Sequence, residues 1–162
     1  MENKIKEPFA FVDGSYNPKT KVYGYGGFVQ SNGKRYLIRG SGHNEELATM
    51  RNVAGEIAGS MMAVQKAEKL GLSSLCILYD YRGIEDWVTG KWQAKKEGTI
   101  QYRDYMRSKK KSMNITFEKV AAHTGIEGNE IADILAKTAV GVELTKSQQA
   151  IYDQLNSKFK KQ

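Results

Sequence analysis

Four carboxylates stand where their type and spacing could support chemistry. Asp13 follows the apolar run Phe9-Ala10-Phe11-Val12, and Asp80 follows Leu75-Cys76-Ile77-Leu78-Tyr79. Glu56 lies inside a long apolar-periodic stretch, and Asp133 lies early in a later one. Short apolar runs bounded by turn residues read as buried strands. If the strands that precede Asp13 and Asp80 are parallel neighbours, both carboxylates leave the same edge of one sheet. Hard oxygen donors converging there suit Mg²⁺ or Mn²⁺ rather than zinc, which takes cysteine and histidine. Two such ions, about 3.5–4 Å apart, can clamp the attacking and leaving oxygens of a phosphodiester. Each acid also has a plainer reading. Asp13 before Gly14 can start a turn. Glu56 can be a solvated helix residue, Asp80 can cap the next helix, and Asp133 can complement a helix dipole. Spacing by itself leaves these alternatives open.

The elements that would have to position the acids can be read from periodicity. Phe9–Val12 reads as a strand, Val22–Gln30 as a second, and Arg35–Arg39 as a third. Ser31-Asn32-Gly33-Lys34 reads as a hairpin turn, because Asn-Gly tolerates the positive φ angles a tight turn needs. Glu46 to Leu70 reads as one long helix with Leu47, Met50, Ala54, Ile57, Met61 and Val64 on its apolar face, stopped by Gly71. Leu75–Tyr79 is apolar on both faces, as a central strand is. Short helices are predicted over Arg82–Val88 and Thr99–Ser108, a fifth strand over Asn114–Ala121, and a helix over Asn129–Val140. A last helix over Thr145–Lys158 opens with the capping-box pattern Thr145-x-x-Gln148, in a tail expected to pack loosely after Gly141. This order predicts an α/β fold. Its mixed five-stranded sheet combines a three-stranded antiparallel meander with two parallel strands, and helices cover both faces. Gly55 and Gly59 inside the long helix each cost roughly 1 kcal/mol against alanine, which points to close packing against a neighbour.

The 162 residues suffice for one domain, with 40% apolar and 27% charged residues. The formal charge of +7 favours a polyanionic partner such as nucleic acid over a neutral one. Cys76 has no cysteine to pair with and is expected to be a buried thiol. No signal-peptide pattern or membrane-spanning apolar run is present in the sequence, so a soluble, cytoplasmic protein without membrane association is expected.

Asp13-Gly14-Ser15, Asn52-Val53-Ala54-Gly55-Glu56, Tyr79-Asp80 and the string from His123 to Asp133 (His-Thr-Gly-Ile-Glu-Gly-Asn-Glu-Ile-Ala-Asp) follow one another in this order. In order and spacing they resemble type 1 ribonuclease H, over about Phe9 to Val140. The last string is the most specific of them. The resemblance implies an RNase H-like fold and a metal-dependent endonuclease. Such an enzyme hydrolyses the RNA strand of an RNA–DNA hybrid and leaves 5′-phosphate and 3′-hydroxyl ends. It further implies that Asp13, Glu56, Asp80 and Asp133 ligate two Mg²⁺ ions, with Mn²⁺ as the alternative. His123 would assist proton transfer or product release from a loop loosened by Gly125 and Gly128. Glu130, one turn before Asp133, is a further candidate for metal contact.

By the same resemblance, the backbone at Gly14 and Ser15 and the amide of Asn52 would read the 2′-hydroxyl that DNA lacks. Trp92, Lys95 and Lys96 would contact the hybrid, Trp92 by stacking and the lysines through phosphates. They lie in a basic stretch, Lys91 to Lys111, interleaved with Trp87, Trp92, Tyr102 and Tyr105, which reads equally well as a solvated face over helix-core aromatics. The segment between Asp80 and the fifth strand is too short for the extra basic helix of several relatives, and Tyr81 stands where many have a small polar residue. With only a dozen residues before Asp13, the hybrid-binding module that some relatives carry there is not expected. His43 reads as solvated. The expected layout is a catalytic domain at 1–141 with a C-terminal helical tail, 142–162, of the same domain. It is expected to act as a monomer without a protein partner. Two other classes compete: a non-catalytic nucleic-acid binder, which a missing carboxylate would favour, and an integrase- or transposase-like polynucleotidyl transferase, which is not expected to carry the His123–Asp133 string.

Overall fold

The computed structural model describes residues 6–120 and 127–159, with side chains through residue 157. Three antiparallel strands open the chain: β1 (Phe9–Asn17), β2 (Val22–Ser31) and β3 (Lys34–Gly42). Then come α1 (Glu45–Ala48), α2 (Asn52–Lys69), β4 (Ser74–Tyr79), α3 (Gly83–Thr89), α4 (Glu97–Lys109), β5 (Asn114–Lys119), α5 (Glu127–Ala139) and α6 (Lys146–Phe159). The sheet runs β3-β2-β1-β4-β5, with β4 parallel to both β1 and β5. The expected mixed sheet of a meander plus parallel strands is what forms.

Strand alternation sorts the core into two layers. Ala10 and Val12 of β1, with Leu75, Ile77 and Tyr79 of β4, face α2, α3 and α4. Phe9 and Phe11 of β1, with Leu78 and the half-buried Cys76 of β4, face α5 and α6. β4 is therefore covered on both sides, as its unbroken apolar run requires. The hairpin turn has Asn32 and Gly33 at φ of 54° and 75°, the mirror-image geometry that suits a right-twisted hairpin.

Three expectations on the elements are corrected. The long helix is two: α1, capped by the Asn44 side chain, ends at Ala48, and α2 begins after Arg51, whose φ is +56°. A non-glycine residue in that region breaks a helix whatever the apolar period around it. The tail packs. Leu155 joins Ile131 and Leu135 in the second layer, and burying a leucine there stabilises the fold by about 1.5–3 kcal/mol. The capping box is real: Thr145 Oγ1 accepts from the Gln148 amide at 3.1 Å and the Gln148 side chain accepts from the Thr145 amide at 3.2 Å. Cys76 is half-buried rather than buried, and partial burial pushes its thiol up.

Candidate active site

β1 outruns its parallel partner. The pairing of β1 with β4 ends at Phe11 opposite Leu78. Extending that register two residues sets Asp13 opposite Asp80, beyond the last paired rung. Asp13 is not at the end of its strand, as the sequence suggested, because β1 continues to Asn17 through its pairing with β2. Both carboxylates nonetheless leave the edge where β4 stops. There the backbone of β1 has lost a neighbour on one side, and side chains can enter.

Glu56 enters from the α2 layer, 3% exposed. Its Oε1 accepts from the amides of Asp80 at 3.0 Å and Tyr81 at 3.3 Å, which fastens the helix to the end of β4. This reach depends on backbone contact between layers. A Cβ at Gly14 would overlap the Asn52 carbonyl, and one at Gly55 would overlap the Gly24 carbonyl. Only glycine lets α2 lie that close to β1 and β2. The helical glycines thus have the packing role expected of them.

Asp13, Glu56 and Asp80 each present a carboxylate oxygen within 4.8 Å of the others. Asp13 and Glu56 are buried. Among the described residues, none of the three pairs with a lysine or arginine. Burial, then the charges of Asp80 and Asp133, push the Asp13 carboxyl up to about 8 against the pull of the Gly14 amide and Lys137. Burial, then Asp80 and Asp13, raise Glu56 well above the usual carboxylate range. Carboxyls packed this way without a cation disfavour their own charge. A divalent cation would reverse that preference, and an all-oxygen donor set is the one Mg²⁺ and Mn²⁺ take. The residues present therefore fit a metal.

Asp133 arrives from α5 on the opposite layer. It is buried and its charge is felt at Asp13, but it lies outside the tight group of three. Its Oδ2 is held instead by Lys137 at 3.1 Å and by the Gln148 amide at 3.0 Å. Glu130 touches the same amide at 3.3 Å. His123 and Gly125 lie outside the described residues. Gly128 does not loosen a loop: it is in α5, seated against the Phe11 ring, where a Cβ would collide.

Gly14 and Ser15 lie beside Asp13 on β1, and Gly14 backs onto the exposed first residue of α2, Asn52, so these three come together. Trp92, Lys95 and Lys96 are exposed on the segment between α3 and α4. Trp92 is tied to the site indirectly: Tyr81, next to Asp80, packs edge-on against it at 5.9 Å and tilted against Trp87 at 5.8 Å. The other aromatics of the basic stretch are structural. Tyr102 is fully buried and donates to the Ile84 carbonyl at 2.7 Å, Trp87 is in the core, and Tyr105 packs against it. His43 is exposed, as expected. Sequence reasoning missed Lys137 and Gln148. The four-residue spacing of Asp133 and Lys137 was a usable signal. Gln148 carried only a capping signal.

A mixed sheet with oxygen-only acids gathered where its parallel strands end defines a class, metal-dependent α/β enzymes that act on phosphodiesters. Comparison with known proteins narrows it. The RNase H family model matches residues 6–141. RNase H1 of the halophilic archaeon Halobacterium salinarum superimposes with a TM-score of 0.65 at 20% identity, covering 83% of this chain and 97% of that one. The N-terminal RNase H domain of a Mycobacterium tuberculosis protein, as a fusion with maltose-binding protein, gives 0.67 at 17% identity, covering 90% and 99%. LC11-RNase H1, in complex with an RNA/DNA hybrid, gives 0.65 at 12% identity, covering 83% and 99%. Compared with curated protein sequences, the chain matches none. The family match spans most of the chain, and this protein belongs to the RNase H family.

Proposed function

We propose that this ribonuclease H is an endonuclease that hydrolyses the RNA strand of RNA–DNA hybrids by a two-metal mechanism, leaving 5′-phosphate and 3′-hydroxyl ends. The observation that carries this is the carboxylate group of Asp13, Glu56 and Asp80, the first two buried and none paired with a lysine or arginine among the described residues, at the edge where β4 ends. Those three and Asp133 would hold two Mg²⁺ ions, with Mn²⁺ as the alternative. Bound there, the ions would activate the attacking water and neutralise charge on the scissile phosphate.

The chain's own residues supply the rest. The amides of Asp80 and Tyr81 fix the Glu56 carboxylate, and the Gly14 amide fixes Asp13 at 2.8 Å, so neither has to reorganise. The Gly14–Ser15 backbone and the Asn52 amide would bind the 2′-hydroxyl on the RNA strand. Trp92, Lys95 and Lys96 would hold the hybrid, the lysines through its phosphates. His123 would carry the proton to the leaving oxygen or ease product release. We read residues 1–141 as the catalytic domain and 142–162 as its C-terminal tail. We place the enzyme in the cytoplasm as a monomer without a protein partner. No helix among the described residues is long and apolar enough to cross a membrane.

The test is incubation with labelled RNA–DNA hybrid, RNA duplex and DNA duplex, in Mg²⁺ and in EDTA. Cleavage of the hybrid alone, only with metal, is expected. Binding without cleavage would make the protein a non-catalytic binder, and strand transfer into DNA would make it a transferase. Asp80→Asn should cut hydrolysis by ~10³-fold or more while sparing hybrid binding. Full activity in that variant would end the assignment.

A further inference from the structure

The side-chain amide of Gln148 does two unrelated things. Its oxygen closes the capping box at the start of α6, accepting from the Thr145 amide, with the Lys137 ammonium at 3.5 Å. A capping box asks nothing of the other end. Yet Nε2 is turned inward, donating to Asp133 Oδ2 at 3.0 Å and to Glu130 Oε1 at 3.3 Å. Gln148 is 6% exposed, so this is a buried amide with every polar atom used. A buried amide is retained at no cost only when it is fully partnered, and these partners are two acids of α5.

The consequence falls on Asp133. Lys137 and Gln148 both address Oδ2, which leaves Oδ1 as the oxygen to offer a cation. The two donors differ in kind. Lys137 holds the carboxylate by charge and so competes with an incoming cation. Gln148 holds it by a neutral hydrogen bond and does not. From this geometry we infer that Gln148 is a positioning residue. The C-terminal helix, through it, fixes Oδ2 of the fourth carboxylate beside Lys137 and so sets the direction in which Oδ1 can face a metal. The inference rests on the reading of Asp133 as a ligand in a metal-dependent nuclease.

Gln148→Met keeps the volume and removes the donor. Thr145→Ala breaks the same capping box but leaves Nε2 on Asp133, so it reports the loss of the cap alone. Mn²⁺ is titrated into the full chain by calorimetry, thermal unfolding is recorded, and hybrid cleavage is measured against Mg²⁺ concentration. Gln148→Met should weaken Mn²⁺ about 10-fold or more and raise the Mg²⁺ needed for half-maximal rate to match, with kcat at saturating Mg²⁺ largely restored. Thr145→Ala should lose similar stability with both metal readouts unchanged. Equal weakening in both variants, or none in either, overturns the positioning role while leaving wild-type cleavage intact. A wild-type chain that neither binds Mn²⁺ nor cuts hybrid overturns the nuclease reading and this inference with it. Should Gln148→Met not fold, the side-chain amide resonance of Gln148 in the wild type decides: it should shift on Mg²⁺ saturation, and a static resonance overturns the role.

Discussion

Asp13 is held in β1, buried, among acids of like charge, with its carboxyl at about 8. The sign of the resulting pH dependence follows from linkage. Between its ordinary value of 3.8 and about 8, the unfolded chain has released the proton that the folded protein still holds. The folded state binds more protons, so metal-free stability falls as pH rises through that window, by up to about 1.4 kcal/mol per pH unit for one such group. Glu56 acts in the same direction. Thermal unfolding in EDTA from about pH 5 to about pH 9, which covers the upper part of the window and its end, should show this decline, and saturating Mg²⁺ should flatten it. Asp13→Asn should raise metal-free stability at pH 8 by on the order of 1–2 kcal/mol while abolishing cleavage, since the site trades stability for function. His123→Ala should slow turnover by about 10²-fold without changing metal affinity.

At the scale of elements, the site is an accident of lengths that the sheet makes systematic. β4 stops at Tyr79 while β1 runs on, and α2 lies close enough to reach the gap because Gly14 and Gly55 have no Cβ. Gly55→Ala should therefore do more than overpack. It should push α2 off the sheet, cost about 1–3 kcal/mol in denaturant unfolding, and lower cation affinity by moving Glu56. The split between α1 and α2 belongs here too. Arg51, at positive φ, packs its guanidinium over the Tyr16 ring at 5.4 Å and aims the first turn of α2, with Asn52, at the same edge. Local strain of that kind is held only where the surroundings over-determine it.

At the scale of the whole molecule, a net charge of +7 accompanies an acidic site. A polyanion is attracted by the first, and its phosphates need metal to tolerate the second. Binding of hybrid to the Asp80→Asn protein should weaken linearly in log salt. Lys95→Ala with Lys96→Ala should reduce that slope by roughly 1–2, about one per phosphate contact removed. An unchanged slope would place the hybrid elsewhere.

The strands, most helices and the two covered faces of the sheet were legible in the sequence, because period-2 and period-3.6 patterns and turn residues are local signals. The four acids stood out only through the order of motifs in the family resemblance. The meander, the central strand β4 and the Asn32-Gly33 turn are read correctly for that reason. Arg51 is the local failure: nothing in its neighbours' apolar spacing announces a positive φ. What only the tertiary structure decided is how the acids are arranged. Asp13, Glu56 and Asp80 close into one group because strand register and glycine contacts bring them together, while Asp133 stands outside it with its Oδ2 held by Lys137 and by Gln148 of the last helix. Residue type and spacing announce that carboxylates can bind a cation. Which oxygens face one another depends on contacts between segments many residues apart, and no periodicity along the chain encodes those.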